Sequence, residues 1–197
     1  EAGTALTTGD ENVAIGFNAL ATEDGHGKNV AIGKGALNGL NAGADAYNVA
    51  VGHNSGTSLT TGVQNALVGA NAGDALTDAD FNTAVGVNAL TADTLGSRSV
   101  AVGWGALQAQ NLTTATNVYN VAVGNLAGTA ITTGVQNVII GGQAGDAITD
   151  ADYNVAVGDQ ALGDNTVGSQ SVAIGYIALT SQNPATATNM YNTAVGS

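Results

Sequence analysis

Cysteine is absent from this chain, and only three of its 197 residues are basic against fifteen acidic. The first absence excludes a disulfide framework and thiol chemistry. The second leaves a formal charge of −12, which repels nucleic-acid phosphates and anionic membrane surfaces and argues against both as partners. Apolar runs are only a few residues long, far below the roughly 20 that carry a helix across a bilayer, and no signal peptide is visible. Histidine is nearly missing too: His26 and His53 are the only two. With no G-x-S-x-G, H-E-x-x-H or phosphate loop either, catalysis has little to stand on. The expectation is that the chain is not an enzyme.

What the chain has in abundance is glycine (Gly 29) and one phrase that recurs along its whole length. The phrase is Asn/Ser-x-(Ala/Ile/Leu)-(Val/Ile)-Gly. It begins at Asn12, Asn29, Asn48, Asn65, Asn82, Ser99, Asn120, Asn137, Asn154, Ser171 and Asn192. The step from one start to the next is mostly the same; it is slightly longer after Asn29 and longest after Ser99 and Ser171. Three ordinary steps followed by a longest one make a larger unit that runs 48–119 and again 120–191, and the two copies are identical at most positions. A partial unit, 1–47, precedes them, and 192–197 starts another coil. The opening string EAGTALTTGDE (1–11) aligns with LAGTAITTGVQ at 126–136, so a longer array is expected to contain this one. A fixed period of this kind marks a stack in which each repeat buries its apolar face against its neighbours.

Helix is a poor reading of the repeat, because a glycine inside a helix costs about 1 kcal/mol relative to alanine. Strand fits better. In Asn120-Val121-Ala122-Val123-Gly124 the two valines share one face and Ala122 takes the other. The fold class expected is all-β, a parallel β-solenoid or β-roll with one coil per motif, each coil as long as the step between motifs. Two short strands and a loop are expected in each coil. The second and fourth motif residues are read as facing inward, and the third, usually alanine, as facing out to pack chain against chain. After the glycine corner comes Ala-Leu in some coils and Ala-Gly in others. The Ala-Gly coils carry their large residue a little later, at Leu59, Leu76, Ile131 and Ile148. The leading asparagines are expected to bond along the stack as a ladder.

The motifs SVAVG (99–103), SVAIG (171–175) and NVAIG (12–16 and 29–33) resemble the head repeats of trimeric autotransporter adhesins. The longer phrase NTAVGVNALTADTLGS (82–97) is similar to repeats in phage and phage-like tail-fibre proteins, often of the chaperone-of-endosialidase type. The resemblance covers nearly the whole chain, although the adhesin heads use a shorter repeat. It implies a homotrimeric fibre, extracellular, on a cell surface or on a virion, used for attachment or as a rigid spacer. The partners it implies are further copies of the chain and a cell-surface glycan or receptor.

Two sets of side chains stand out as candidate sites. Asp74, Asp78 and Asp80, repeated as Asp146, Asp150 and Asp152, alternate on a loop as ligands of a hard cation such as Ca²⁺ would. The same residues also suit turn capping. Trp104 and Tyr176 hold equivalent places in the two larger units, just past the motif glycine, where residue identity varies freely. They could stack on sugar rings or meet a neighbouring subunit. The aromatics before the motif, Tyr47, Phe81, Tyr119, Tyr153 and Tyr191, read as corner packing. Behind the fibre stand three further readings: a calcium-stiffened carbohydrate-binding shaft, an ice-binding solenoid built on Thr rows, and a glycan-cleaving enzyme.

Overall fold

Each motif forms one short strand, and the strands of this 11-stranded sheet pair in chain order from Val13–Ile15 to Thr193–Val195. Every pairing is parallel and keeps motif position against motif position, as in Val49↔Ala66, Ala50↔Leu67 and Val51↔Val68. The computed structural model describes residues 1–197 and contains no helix. It is a parallel β-solenoid of about eleven turns. At a strand spacing near 4.8 Å the sheet is about 50 Å long.

The strands are short because the ladder does not stop at them. Of 113 backbone hydrogen bonds only 22 lie within strands. Most of the others join a corner to the same corner of the next coil, as Leu20 N–H to Ala36 O and Thr60 N–H to Thr77 O. The expected second strand appears only beside the longest coils, where Gly96–Ser97 pairs with Thr116–Asn117 and Gly168–Ser169 with Thr188–Asn189. Directly after the motif the chain turns through left-handed residues, for example Asn88 (φ 57°) and Leu90 (φ 54°), and cannot run extended there.

The motif glycine is fixed by its neighbour. Gly103 has φ 138°, and a Cβ on it would lie 2.2 Å from the carbonyl oxygen of Gly124 in the next coil. Only a hydrogen fits between the two corners.

The faces of the motif strand are opposite to the sequence reading. Ala31, Ala50, Ala84, Ala101, Ala122, Ala156 and Ala173 are fully buried inside their own coil, as are Leu67 and Ile139 at the same position. The flanking β-branched residues point outward: Val49, Val68, Val85, Val123, Ile140 and Ile174 are among the exposed large apolar side chains. Most coils hold one small motif residue, a second alanine such as Ala106 or Ala161, and one large side chain, while the coils of Leu67 and Ile139 hold a second large one, Leu76 and Ile148. Two valines per strand would overfill such a coil. Association through the alanines is thereby ruled out, since they never reach the surface.

The asparagine ladder is present. Asn65 N–H donates to Asn48 Oδ1 (2.9 Å), and Asn82 N–H to Asn65 Oδ1 (2.9 Å). The Asn48 and Asn65 amides donate in turn to Gly62 O and Ala79 O, both at 2.8 Å. These side chains are buried, and each satisfies backbone groups that have no other partner at the corner.

Candidate functional site

Serine leads the two longest coils and is too short to continue the ladder. Gln110, from the same coil as Ser99, fills in: its Nε2 donates to Ser99 Oγ (3.1 Å), and its Oε1 accepts from Asn120 Nδ2 (2.9 Å). Gln182 repeats this between Ser171 and Asn192. Under Gln110 lies a buried acid. Asp93 accepts from Gln110 Nε2 (2.6 Å), Gly96 N–H (3.1 Å) and Leu112 N–H (3.1 Å). Burial pushes its carboxyl above the usual carboxylate range, and those donors only partly offset it. Glu23 holds the same place beneath the lengthened coil that starts at Asn29, accepting from His26 N–H and Ala42 N–H. Asn165 stands in that place beneath the second of the longest coils. There Pro184 replaces Leu112 and has no N–H to satisfy. These acids tether the loops of the longer coils and were not foreseen. The available signal was a polar residue at the place where Leu59, Leu76, Ile131 and Ile148 stand in other coils.

The six aspartates of the calcium reading face in different directions. Asp78 is bonded by the Thr61 hydroxyl and Asp74 by that of Thr91. Asp80 and Asp152 accept the N–H groups of Val63 and Val135, each at 2.8 Å. Asp150 accepts from the Thr149 hydroxyl (3.3 Å). Burial, then the charge of Asp164, raises the Asp146 carboxyl. Most of these bonds latch one coil to the next. The group that does bring three ligand atoms within 4.8 Å of one another is Glu23, Asp24 and His26. In it, His26 Nδ1 lies buried without a hydrogen-bond partner, 3.4 Å from Glu23 Oε1. The unrepeated string EDGH is its only trace in the sequence.

Trp104 and Tyr176 are both about half exposed, as their variable position suggested, and sit on one row along the stack. The residue before each motif forms a second row, and every member of it is left-handed, with φ between 52° and 65°. Its order is Glu11, Lys28, Tyr47, Gln64, Phe81, Arg98, Tyr119, Gln136, Tyr153, Gln170, Tyr191. From Lys28 onward a long hydrogen-bond donor alternates with an aromatic ring. Lys28 Nζ lies 5.4 Å from the Tyr47 ring centre, and Arg98 Cζ lies 4.5 Å from that of Phe81. Lys28 also pairs with Asp45; the hydrogen bonds its ammonium donates to Asp45 and then Tyr47 hold it well above the ordinary lysine value, and Lys28 holds Asp45 low. On this row opens a cavity of about 430 Å³, lined by Tyr47, Val49, Gln64, Asn65 and Ala66.

No family model matches the chain, and no curated protein or solved structure matches it either. No helix is long and apolar enough to cross a membrane.

Proposed function

We propose that the chain is a rigid segment of an attachment fibre, self-associating as a homotrimer through the outer face of its main sheet, outside a cell or on a virion. The observation that carries this is the two unbroken rows of mostly Val and Ile side chains down that face, with no charged residue in either. Their footprint is on the order of 500 Å² per chain, from the strand spacing multiplied by the strand length. An uncharged apolar patch of that size is often a functional surface, and three such faces closing on one axis would leave none exposed. The acidic remainder of the surface keeps finished fibres from clumping.

Sedimentation equilibrium tests the reading, with a mass of three chains expected. Val102→Glu with Val123→Glu places carboxylates on the outer face and is expected to give folded monomers. A stable monomer in the unmodified protein would overturn the trimer. A second reading, a carbohydrate-binding shaft, draws on the exposure of Trp104 and Tyr176. Its test is loss of glycan retention on replacing both with alanine.

A further inference from the structure

The geometry points to a carbohydrate site in the cavity between Tyr47 and Gln64, taking one pyranose ring of an extended β-linked glycan that runs along the row of pre-motif residues. This deepens the carbohydrate-binding shaft reading and rests on it, with residues other than Trp104 and Tyr176; Val49 and Ala66 stand on the sheet face that the trimer would cover, so a filled site and that interface exclude each other.

The two larger units act as an internal comparison. Tyr119, Val121, Gln136 and Asn137 repeat Tyr47, Val49, Gln64 and Asn65. No cavity opens there, and the one beside Tyr47 is alone in the molecule. Two substitutions account for the difference. Ala66 stands where the second unit has Val138, and its missing methyls leave the hollow. Phe81 stands where the second unit has Tyr153. Gln136 Nε2 is 3.5 Å from the Tyr153 hydroxyl, whereas the residue equivalent to Tyr153 beside Gln64 is Phe81, which has no hydroxyl to bond. The first unit therefore has both an open space and an amide left over.

The chemistry selects the ligand. Lys28 belongs to the coil before Tyr47 and lies over its ring, while Gln64 and Ala66 belong to the coil after it, so the opposite side of the ring borders the cavity. An aromatic face, a valine and an alanine suit the C–H face of a pyranose. A carboxamide beside them both donates to and accepts from hydroxyls. No charged side chain lines the space, so the sugar is neutral. The row beyond the cavity favours a straight polymer. Aromatic residues recur at every second coil, roughly 9.6 Å apart at the usual strand spacing, with a donor on the coil between. An extended β-linked chain presents equivalent ring faces at every second sugar over a comparable length. A coiling α-linked chain leaves such a straight row.

The test is calorimetric titration with cellohexaose and chitohexaose, against maltohexaose. Sedimentation is run on the same samples. One β-linked hexaose per chain is expected, and the α-linked probe is not expected to bind. Ala66→Val installs the side chain the second unit already carries, so folding is not at issue, and it is expected to weaken binding by at least about tenfold. Val138→Ala with Tyr153→Phe is expected to open a second site and raise the stoichiometry to two. Binding of neither β-linked probe, equal binding of maltohexaose, or an Ala66→Val affinity equal to wild type would each overturn the proposal. A monomer that binds the probe keeps this site and defeats the trimer. A trimer that ignores it does the reverse.

Discussion

A Cβ placed on Gly145 would lie 2.8 Å from Cδ1 of Ile148, a little further along the same coil. The same relation holds between Gly73 and Leu76 (2.8 Å) and between Gly128 and Ile131 (2.9 Å). Where the later residue is polar, the earlier one is leucine: Leu90 with Asp93, Leu107 with Gln110, Leu162 with Asn165. These leucines are buried and left-handed, so they fill from one side the space that Ile148 fills from the other. In these coils one large apolar side chain takes either of two places, whereas the lengthened coil that starts at Asn29 fills both, with Leu37 and Leu40.

Gly145→Leu alone is therefore expected to overpack the coil against Ile148 and Ile139, lowering stability by about 1–3 kcal/mol. Ile148→Asn alone removes the filling and buries an amide, at a cost of about 3 kcal/mol. Together they reproduce the Leu162/Asn165 pair of the next coil except that Ile139 stands where that coil has Ala156, so the part of the loss due to Ile148 is expected to return. Denaturant unfolding of the four proteins checks this; simple additivity would count against volume exchange.

The Asp93 tether gives a second cycle. Asp93→Asn keeps Oδ1 for Leu112 N–H but sets an NH₂ against Gln110 Nε2, which loses its acceptor, and is expected to cost about 1–3 kcal/mol. Adding Gln110→Glu gives that NH₂ a carboxylate oxygen to bond and should recover most of the loss. Equal melting temperatures for the single and double variants would refute the account.

Glycines differ by what stands over them. Gly103→Ala drives a Cβ into the Gly124 carbonyl and is expected to unfold the local coils. Gly43 is also left-handed (φ 71°) but has nothing within 4 Å of an added Cβ. Gly43→Ala should cost only the backbone strain, about 1–2 kcal/mol. Similar losses at the two sites, measured by thermal melting, would show that packing between corners is not the constraint.

The acids set a pH dependence. Asp93 and Asp146 have carboxyls raised by burial, so the folded chain binds their protons more tightly than the unfolded one. Their contribution to stability is full below the usual carboxylate value and is lost as pH rises through the raised values. Asp45, held low by Lys28, acts in the opposite sense: its contribution is present above the usual value and is lost as pH falls through the lowered one. Stability is expected to rise on mild acidification from neutral and to fall again in stronger acid. Asp93→Asn should flatten the first limb, and melting curves across the range would show it.

Much of this architecture was legible because the repeat writes one physical constraint again in every coil. The spacing of the glycines marked the coil, the asparagines marked the ladder, and the alternation of Ala-Leu with Ala-Gly marked the exchange at Gly145 and Ile148. The buried acids were not legible as a group. Glu23 and Asp93 look like the surface aspartates until the longer coil beside each is folded over it. Asp74, Asp78 and Asp80 are close together in the chain, yet a solenoid aims each at a different neighbour.

The sequence by itself determined the period, the parallel in-register stack and the two-faced strand. It could not determine which face of the strand is inside. A period of two is the same pattern in either phase, and valine outnumbers alanine on the strand without settling which set the interior can hold. The tertiary structure decided that, because the width of the coil admits Ala122 and excludes Val121 and Val123. It also decided where the surface is hollow, since Ala66 is one apolar residue among many until the folded row places it between Tyr47 and Gln64.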